Sequence, residues 1–331
     1  MLRLISIALG AAFILFGAGS VQAETVLRIT LQLPIKSSLG QNLVAFKKEV
    51  ETASKGDIKI EIYPSAQLYK DKAVPQAVSS GAIEMGTASI TRFAGTIPAV
   101  DIFYVPFMFN DWDAVAKATA PGGPVRGPID EAILETGARP LWWQAFGFAI
   151  MLSKDKPLRR PEDIKGLKVR VFGKTLGEFI KAVGAVPTLM SGSEQFLAYQ
   201  RGTVDAGMTA INAVKSRKLY EVMDYLTVTN HADVEFVVLI NEKTWQGLSQ
   251  GQRDILTAAA RKVETALRAQ YAKIDADALD FIANKTKMKV VRISDADRAA
   301  WRAATRSVVD TYIEKAGPLG KKLVAAARAL Q

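Results

Sequence analysis

The 331-residue chain contains no cysteine and a single histidine, His231. Without cysteine the fold has no disulfide, no thiolate ligand for a metal and no cysteine nucleophile. One histidine also excludes most serine triads and zinc motifs, and neither H-E-x-x-H nor G-x-x-x-x-G-K-[ST] occurs. A glycosidase with a carboxylate pair is compatible with this composition, but no feature points to one. We therefore expect a protein that is not an enzyme and that has no cofactor and no metal site.

Long apolar runs are also missing, except at the start of the chain. Arg3 precedes an apolar run from Leu4 to Phe16, and Val21-Gln22-Ala23 ends the segment with small residues at the positions that a signal peptidase recognises. This pattern predicts a secretory signal peptide, residues 1–23. No later segment has the apolar length of a membrane span. A secreted protein without disulfides suits the bacterial periplasm.

The charge is positive, with 43 Lys and Arg against 33 Asp and Glu, a formal net charge of +10. A basic surface favours anionic partners or solutes. The basic residues are scattered among acidic ones, and no basic stripe is interleaved with aromatics, so nucleic-acid binding is not expected.

Apolar periodicity predicts alternating strands and helices. Residues 27–31 and 58–62 alternate as strands do, and residues 39–54 between them repeat at helical spacing. The same order returns with a strand at 167–171, a helix at 174–183 and a short strand at 203–207. Strands and helices in alternation predict an α/β fold with parallel sheets flanked by helices.

A long helix is predicted near the end of the chain. Ser249 and Gln252 form a capping-box pattern, and apolar residues at steps of three and four continue to Ile282. Such a helix, about 45 Å long at about 1.5 Å per residue, exceeds the width of one lobe. We therefore expect it to lie across two lobes. A further helix is predicted from Ser294 to Gly317, and a final short helix follows it to about Leu330.

Several segments, in order, resemble those of one protein family. They are Ile62–Leu68 (like "YPxxQL"), Val105–Phe109 ("LPFLF"), Pro161–Arg170 ("PEDLKGLKIR"), Ser193–Asp205 ("SEVYxALQxGxVDG"), Tyr220–His231 ("YEVxxYLxxTNH") and Trp245–Ser249 ("WxxLS"). This set resembles the DctP-type solute-binding proteins of tripartite ATP-independent periplasmic (TRAP) transporters, and the resemblance covers essentially the whole mature chain.

The resemblance implies a two-lobed periplasmic-binding-protein-like fold with crossing strands, a spanning helix and a ligand cleft between the lobes. We expect one lobe from residues 24–148 and about 235–265, and the other from 149–234 and about 266–331. It further implies a small organic acid as ligand, with one large and one small integral membrane subunit as partners. A solute receptor of another transporter class or a sensor is the alternative interpretation.

Arg170 is the main candidate for ligand binding. It ends the strand predicted at 167–171, and a guanidinium presents a planar fork of donors that matches a carboxylate. The resemblance implies that the arginine at this position holds the ligand carboxylate. The same alignment places Glu194 at the cleft, either in contact with ligand or ordering the site.

Three positions depart from the family pattern. Ala149 stands where a second arginine is common, Gly192 where a bulky aromatic often occurs, and Thr209 where an asparagine often helps to bind the carboxylate. Less charge and more apolar room favour a monocarboxylate with a bulky or aromatic body as the ligand, rather than a dicarboxylate or sialic acid. Four large side chains either surround that body or belong to the cores of the lobes: Phe146, Phe148, Phe172 and Met208.

The first lobe is expected to contribute loops that follow its strands, because α/β sheets bind ligands at the carboxyl ends of their strands. The candidates at these positions are Gln32, Asp71, Ser89 and Arg92.

Overall fold

The computed structural model describes residues 24–109 and 111–330, so the predicted signal peptide, residues 1–23, lies outside the described residues. The strands are β1 (Thr25–Thr30), β2 (Ile58–Tyr63), β3 (Met85–Ser89), β4 (Ala138–Ser153), β5 (Lys168–Val171), β6 (Val186–Leu189), β7 (Ala206–Ala210), β8 (Tyr225–Val228), β9 (Asp233–Asn241) and β10 (Lys289–Arg292). The helices are α1 (Ser38–Ala53), α2 (Val74–Ser79), α3 (Trp112–Ala118), α4 (Arg126–Leu134), α5 (Pro161–Ile164), α6 (Lys174–Ala182), α7 (Gln195–Gln200), α8 (Ile211–Ser216), α9 (Glu242–Gly247), α10 (Gln250–Lys285), α11 (Asp295–Ala304) and α12 (Val308–Arg328). Short 3₁₀ segments lie at Asp71–Ala73, Ile90–Phe93, Pro98–Tyr104, Gly192–Glu194 and Leu219–Glu221.

The strands form two groups that correspond to two lobes. In the first, the order is β2-β1-β3-β9-β4, with β1 parallel to β2 and β3. In the second, β6-β5-β7 are parallel and continue through β4 and β8 to β10. The predicted α/β class with two lobes is confirmed, and the parallel strands are joined by the antiparallel strands β4 and β9.

Strand β4 belongs to both lobes. Its residues 138–148 pair with β9 in the first lobe, and its residues 149–153 pair with β7 and β8 in the second. Where β4 passes from one lobe to the other, the Ala149 N–H donates to the carbonyl of Ala232 at 2.8 Å. The lobes are therefore connected by continuous strand pairing.

Helix α10 is the predicted spanning helix. Its capping box is formed, because Ser249 Oγ accepts from the Gln252 N–H at 3.2 Å and Gln252 Oε1 accepts from the Ser249 N–H at 2.9 Å. Its 36 residues correspond to roughly 54 Å at about 1.5 Å per residue. It packs against α1 in the first lobe and against α8 and β10 in the second, which confirms the prediction.

The C-terminal helices differ from the sequence prediction of one helix from Ser294 to Gly317. Helix α11 ends at Ala304, and α12 begins at Val308 and kinks at Gly317, whose φ of 61° and ψ of −147° are not helical. Helix α12 packs on the segment Pro98–Tyr104 of the first lobe and also on α6 of the second. The division of the C-terminal residues between lobes therefore stays a prediction.

None of the helices in the described residues combines the length and the apolar character needed to cross a membrane. The core instead contains large buried side chains from both crossing strands and the helices that cover them. The largest include Trp142, Trp143, Trp301, Tyr104 and Tyr271.

Candidate functional site

A cavity lies between the lobes, where the parallel strands β1, β3, β5 and β7 end. About 280 Å³ of space there is not filled by protein atoms, and this figure includes space that is open to solvent. Its lining comes from both lobes, as expected for a ligand site at the carboxyl ends of α/β strands. The lining residues are Gln32, Asp71, Ser89, Arg92, Phe146, Arg170, Phe172, Gly192, Gln195, Thr209, Ala210, Arg217, Val234 and Phe236.

Arg170 projects from β5 into this cavity and is 2% exposed. Its Nη1 donates to the carbonyl of Met208 at 2.6 Å, and its Nη2 donates to the carbonyl of Met190 at 3.0 Å. Met208 belongs to β7 and Met190 follows β6, so the backbone of both strands that neighbour β5 holds the guanidinium. A guanidinium fixed in this way is suited to bind an anion with definite geometry.

The electrostatic surroundings of Arg170 leave it charged. Burial, with contributions from Arg92 and Arg217, lowers the pKa of Arg170 to about 9, and Tyr199 and Asp71 act in the opposite direction. The guanidinium also lies 5.2 Å above the ring centroid of Phe172. At neutral pH this buried cation favours an anionic partner in the cavity.

Asp71 organises the first-lobe side of the cavity. Its Oδ1 accepts from the Ser89 N–H at 2.9 Å, and its Oδ2 accepts from Arg92 Nε. Ser89 Oγ lies 3.2 Å from the hydroxyl of Tyr104. Both carboxylate oxygens of Asp71 therefore accept hydrogen bonds from within the protein. Nη2 of Arg92 is buried and has no hydrogen-bond partner among the described residues.

Sequence analysis missed Arg217, which follows α8 and also lines the cavity. It occupies the space beside Gly192: a Cβ at Gly192 would lie 2.5 Å from Nη2 and 2.6 Å from Nη1 of Arg217. The expectation that Gly192 leaves apolar room is therefore wrong, because the Arg217 guanidinium fills it. Ala149 is fully buried and does not line the cavity, so neither substitution enlarges it.

Gln195, at the start of α7, is a second cavity residue that sequence analysis missed. With its amide oxygen turned towards Arg170, it accepts from Nη2 at 3.1 Å and from Nε at 3.2 Å. The family pattern quoted above has valine at this position. A polar glutamine in place of that apolar residue is the sequence feature that could have identified Gln195 as a site residue.

Three predicted site residues do not line the cavity. Met208 precedes the lining residue Thr209 on β7 and is fully buried, and only its carbonyl reaches Arg170. Phe148 packs against Trp112, with 4.8 Å between ring centroids. Glu194 forms an ion pair with Lys70 at 3.1 Å between the lobes. The predicted residues that do line the cavity are Gln32, Asp71, Ser89, Arg92, Phe146, Arg170, Phe172 and Thr209.

The lobes contact each other next to the cavity. Asp101 of the first lobe accepts from the Thr175 N–H of the second at 3.1 Å, and Ser38 Oγ donates to Asn212 Oδ1 at 3.2 Å. The Lys70–Glu194 pair adds a third contact. These contacts hold the two lobes together beside the cavity.

The serine in the hydrolase-like motif and the single histidine both have structural roles in the described residues. Gly247–Gly251 has the G-x-S-x-G spelling of a hydrolase nucleophile, but Ser249 caps α10. His231 stacks on Phe179 with 4.9 Å between centroids, and burial lowers its pKa to about 3. Among residues 24–109 and 111–330, no group of three or more His, Cys, Asp and Glu side chains is placed to hold a metal ion.

Comparisons with known proteins agree with this geometry. The chain is 30% identical over 319 residues to the sialic acid-binding periplasmic protein SiaP of Vibrio cholerae, covering 95% of this chain and 97% of that protein. It is 29% identical over 296 residues to the C4-dicarboxylate-binding periplasmic protein DctP of Rhodobacter capsulatus, covering 88% and 86%. A TRAP periplasmic solute-binding protein from Polaromonas, bound to D-erythronate, superposes with a TM-score of 0.86 at 27% identity, covering 92% of this chain and 99% of that one.

The two lobes and the cationic cavity between them are those of the periplasmic solute-binding proteins. The family model for bacterial extracellular solute-binding proteins, family 7 (DctP), matches residues 31–316, and the chain belongs to this family.

Proposed function

We propose that this chain is the periplasmic receptor of a TRAP transporter, which captures a small organic carboxylate between its lobes and delivers it to one large and one small membrane subunit. The predicted signal peptide would export it to the periplasm. The observation that carries the proposal is the Arg170 guanidinium, which is 2% exposed and held towards the cavity by two backbone carbonyls.

The proposed cycle uses the two lobes. A ligand carboxylate first binds Arg170 in the second lobe, and the first-lobe residues Gln32, Ser89 and Arg92 then complete the enclosure. A ligand favours closure only through the contacts it gains in the closed form. Burial in a low-dielectric cavity strengthens the charge-assisted bonds to Arg170, and Phe146, Phe172 and Phe236 would cover the apolar part of the ligand.

The experiment is to identify organic acids that purify with the mature protein by mass spectrometry and to measure their binding by isothermal titration calorimetry. Arg170→Gln should lose at least about a hundredfold in affinity, because a buried carboxylate would lack its charged partner. The matched control is Arg292→Gln, which removes an exposed strand arginine and should bind like the parent protein.

Undiminished binding by Arg170→Gln would overturn the proposal, and so would chemical conversion of the acid by the purified protein. Delivery to a TRAP transporter is tested separately: uptake of the identified acid should require this chain together with a large and a small membrane subunit. Uptake that instead depends on an ATP-hydrolysing transporter would assign the receptor to another transporter class.

A further inference from the structure

Two of the three nitrogens of the Arg217 guanidinium have no hydrogen-bond partner in the part of the chain that the structure describes. Its Nε and Nη2 atoms are buried and find no hydrogen-bond acceptor among residues 24–109 and 111–330. Buried donors in native proteins are almost always paired, and a charged donor without a partner is particularly costly. An arginine in this condition, lining a cavity, indicates that a bound group supplies the missing acceptors.

The backbone around Arg217 is adapted to place it there. Gly192 stands against the guanidinium, and a Cβ at this position would lie 2.7 Å from Arg217 Cζ as well as colliding with both terminal nitrogens. Any residue other than glycine would therefore push the guanidinium out of its present position. Gly192 and Arg217 both line the cavity, and the position of the Arg217 guanidinium requires that residue 192 has no side chain.

The charge balance of the cavity points to more than one anionic group. Its lining contains the three guanidinium groups of Arg92, Arg170 and Arg217 against the single carboxylate of Asp71. Asp71 is paired with Arg92, and neither Arg170 nor Arg217 forms an ion pair with another of the described residues. Burial lowers the pKa of Arg217 to about 10, so it remains charged at neutral pH.

We propose that Arg217, accommodated by Gly192, is a specificity-determining residue that binds a second anionic group of the ligand. The cavity then selects a compact dianion over a monoanion of the same size. This inference rests on the proposed function, because it takes Arg170 as the partner of the first carboxylate. It replaces the bulky monocarboxylate that the sequence favoured.

The test uses pairs of ligands that differ in one charge and hardly in size: malonate with malonamate, succinate with succinamate, and glutarate with glutaramate. Phenylacetate serves as an aryl monoanion. Binding is measured by calorimetry for the parent protein, Arg217→Gln, Arg170→Gln and Arg261→Gln. Arg261 is an exposed arginine on α10, so the last variant controls for net charge.

In the parent protein we expect at least one diacid to bind about tenfold or more tightly than its monoamide, as a charge-assisted bond predicts. Arg217→Gln should abolish that preference while still binding the monoamide. Arg170→Gln should lose both ligands, and Arg261→Gln should behave like the parent protein.

A second readout needs no ligand. Because Nε and Nη2 of Arg217 are buried without a partner among the described residues, Arg217→Gln should raise the thermal unfolding midpoint of the ligand-free protein above that of the parent. Gly192→Ala should reproduce the loss of diacid preference, since its methyl group displaces the guanidinium.

Three results would overturn the inference: equal affinity for a diacid and its monoamide, a preference that survives in Arg217→Gln, or tighter binding of phenylacetate than of every diacid. Failure of all six aliphatic acids to bind would also show that the ligand class is wrong. In each case the proposed function stands if another carboxylate binds in a manner that depends on Arg170, so the two failures are distinguishable.

Discussion

Lys70 of the first lobe and Glu194 of the second form an ion pair between the lobes, with 3.1 Å between Nζ and Oε1. The side chains are 53% and 34% exposed, so solvent screens their attraction. Glu194 has a second role, since its Oε2 accepts from the Ser191 N–H at 3.0 Å and caps the turn that precedes α7. The pair therefore adds little to closure, and Glu194 orders a lining segment without contacting the cavity.

The first prediction concerns this pair. Lys70→Met should weaken ligand binding by no more than about fivefold, because exposed ion pairs contribute about 0–1 kcal/mol. The effect should shrink further in high salt, which calorimetry at two ionic strengths can measure. Lys59→Met, which removes the same charge from β2, is the matched control. A loss above about tenfold that persists in high salt would show that the pair is a major part of closure.

Much of the fold followed from local sequence patterns. Alternation in β1 and β2 and the capping box of α10 are strong signals, because each is fixed by residues close together in the chain. The crossing strands β4 and β9 lack alternation, since most of β4 and all of β9 are buried. Continuous apolar runs do not distinguish a buried strand from a buried helix, so their antiparallel pairing could not be derived from the residues.

The site was predictable only in part. Thr209 was expected at the cavity and lines it, whereas the neighbouring Met208 side chain does not, because successive residues of a strand point to opposite faces. The strand was predicted at 203–207 and lies at Ala206–Ala210, so the phase of alternation was not available. Arg217 follows a short helix and carries no local signal, since its role depends on contact with the distant Gly192.

A second prediction follows from Asp275, which is buried on α10 with its Oδ1 unpaired among the described residues. Burial raises the pKa of Asp275 to about 8, although a backbone N–H at Asn212 opposes the shift. In the unfolded chain an aspartate titrates near about 3.9. Between these values the unfolded state releases a proton that the folded state retains, so stability falls as pH rises from about 4 to about 8.

Asp275→Asn should remove this contribution, and its free energy of unfolding should decline less over that pH range than that of the parent. At pH 8 the variant should be more stable, by on the order of a few kcal/mol. Urea unfolding at several pH values measures both effects. Asp277→Asn changes a side chain that is 58% exposed on the same helix and serves as control. Parallel pH profiles for the parent and Asp275→Asn would contradict the prediction.

A third prediction concerns Gly147 on the crossing strand β4. Its φ of +89° favours glycine, and a Cβ there would lie 2.8 Å from Tyr271 Cε1 and 3.1 Å from Asp275 Cγ. Gly166 also has a positive φ, +78°, but no atom lies within 4 Å of a Cβ built on it. Backbone strain alone should cost Gly166→Ala about 1 kcal/mol, whereas Gly147→Ala adds a collision with α10.

We expect Gly147→Ala to lose at least about 2 kcal/mol more than Gly166→Ala in urea unfolding. Equal losses in the two variants would mean that β4 and α10 can move apart at this point at little cost. That result would indicate a looser junction between the lobes than the packing of Gly147 implies.

The fourth prediction compares a buried ion pair with an exposed one. Arg126 on α4 is 3% exposed and donates to Glu264 of α10, to Asp130 at 2.9 Å and to the Thr119 carbonyl at 3.0 Å. The other pair joins Lys262 of α10 to Glu49 at 2.7 Å, with side chains 66% and 36% exposed. Both pairs connect α10 to the first lobe, and they differ chiefly in burial.

Glu264→Ala should lower the free energy of unfolding by about 3 kcal/mol, because it leaves the Arg126 charge buried with one fewer partner. Glu49→Ala should cost no more than about 1 kcal/mol, because water replaces the lost partner of an exposed lysine. Urea unfolding of the two variants measures the difference. If Glu264→Ala were as stable as Glu49→Ala, Asp130 and the Thr119 carbonyl would suffice to stabilise Arg126, and the attachment of α10 to the first lobe would rest on apolar packing rather than on this charge pair.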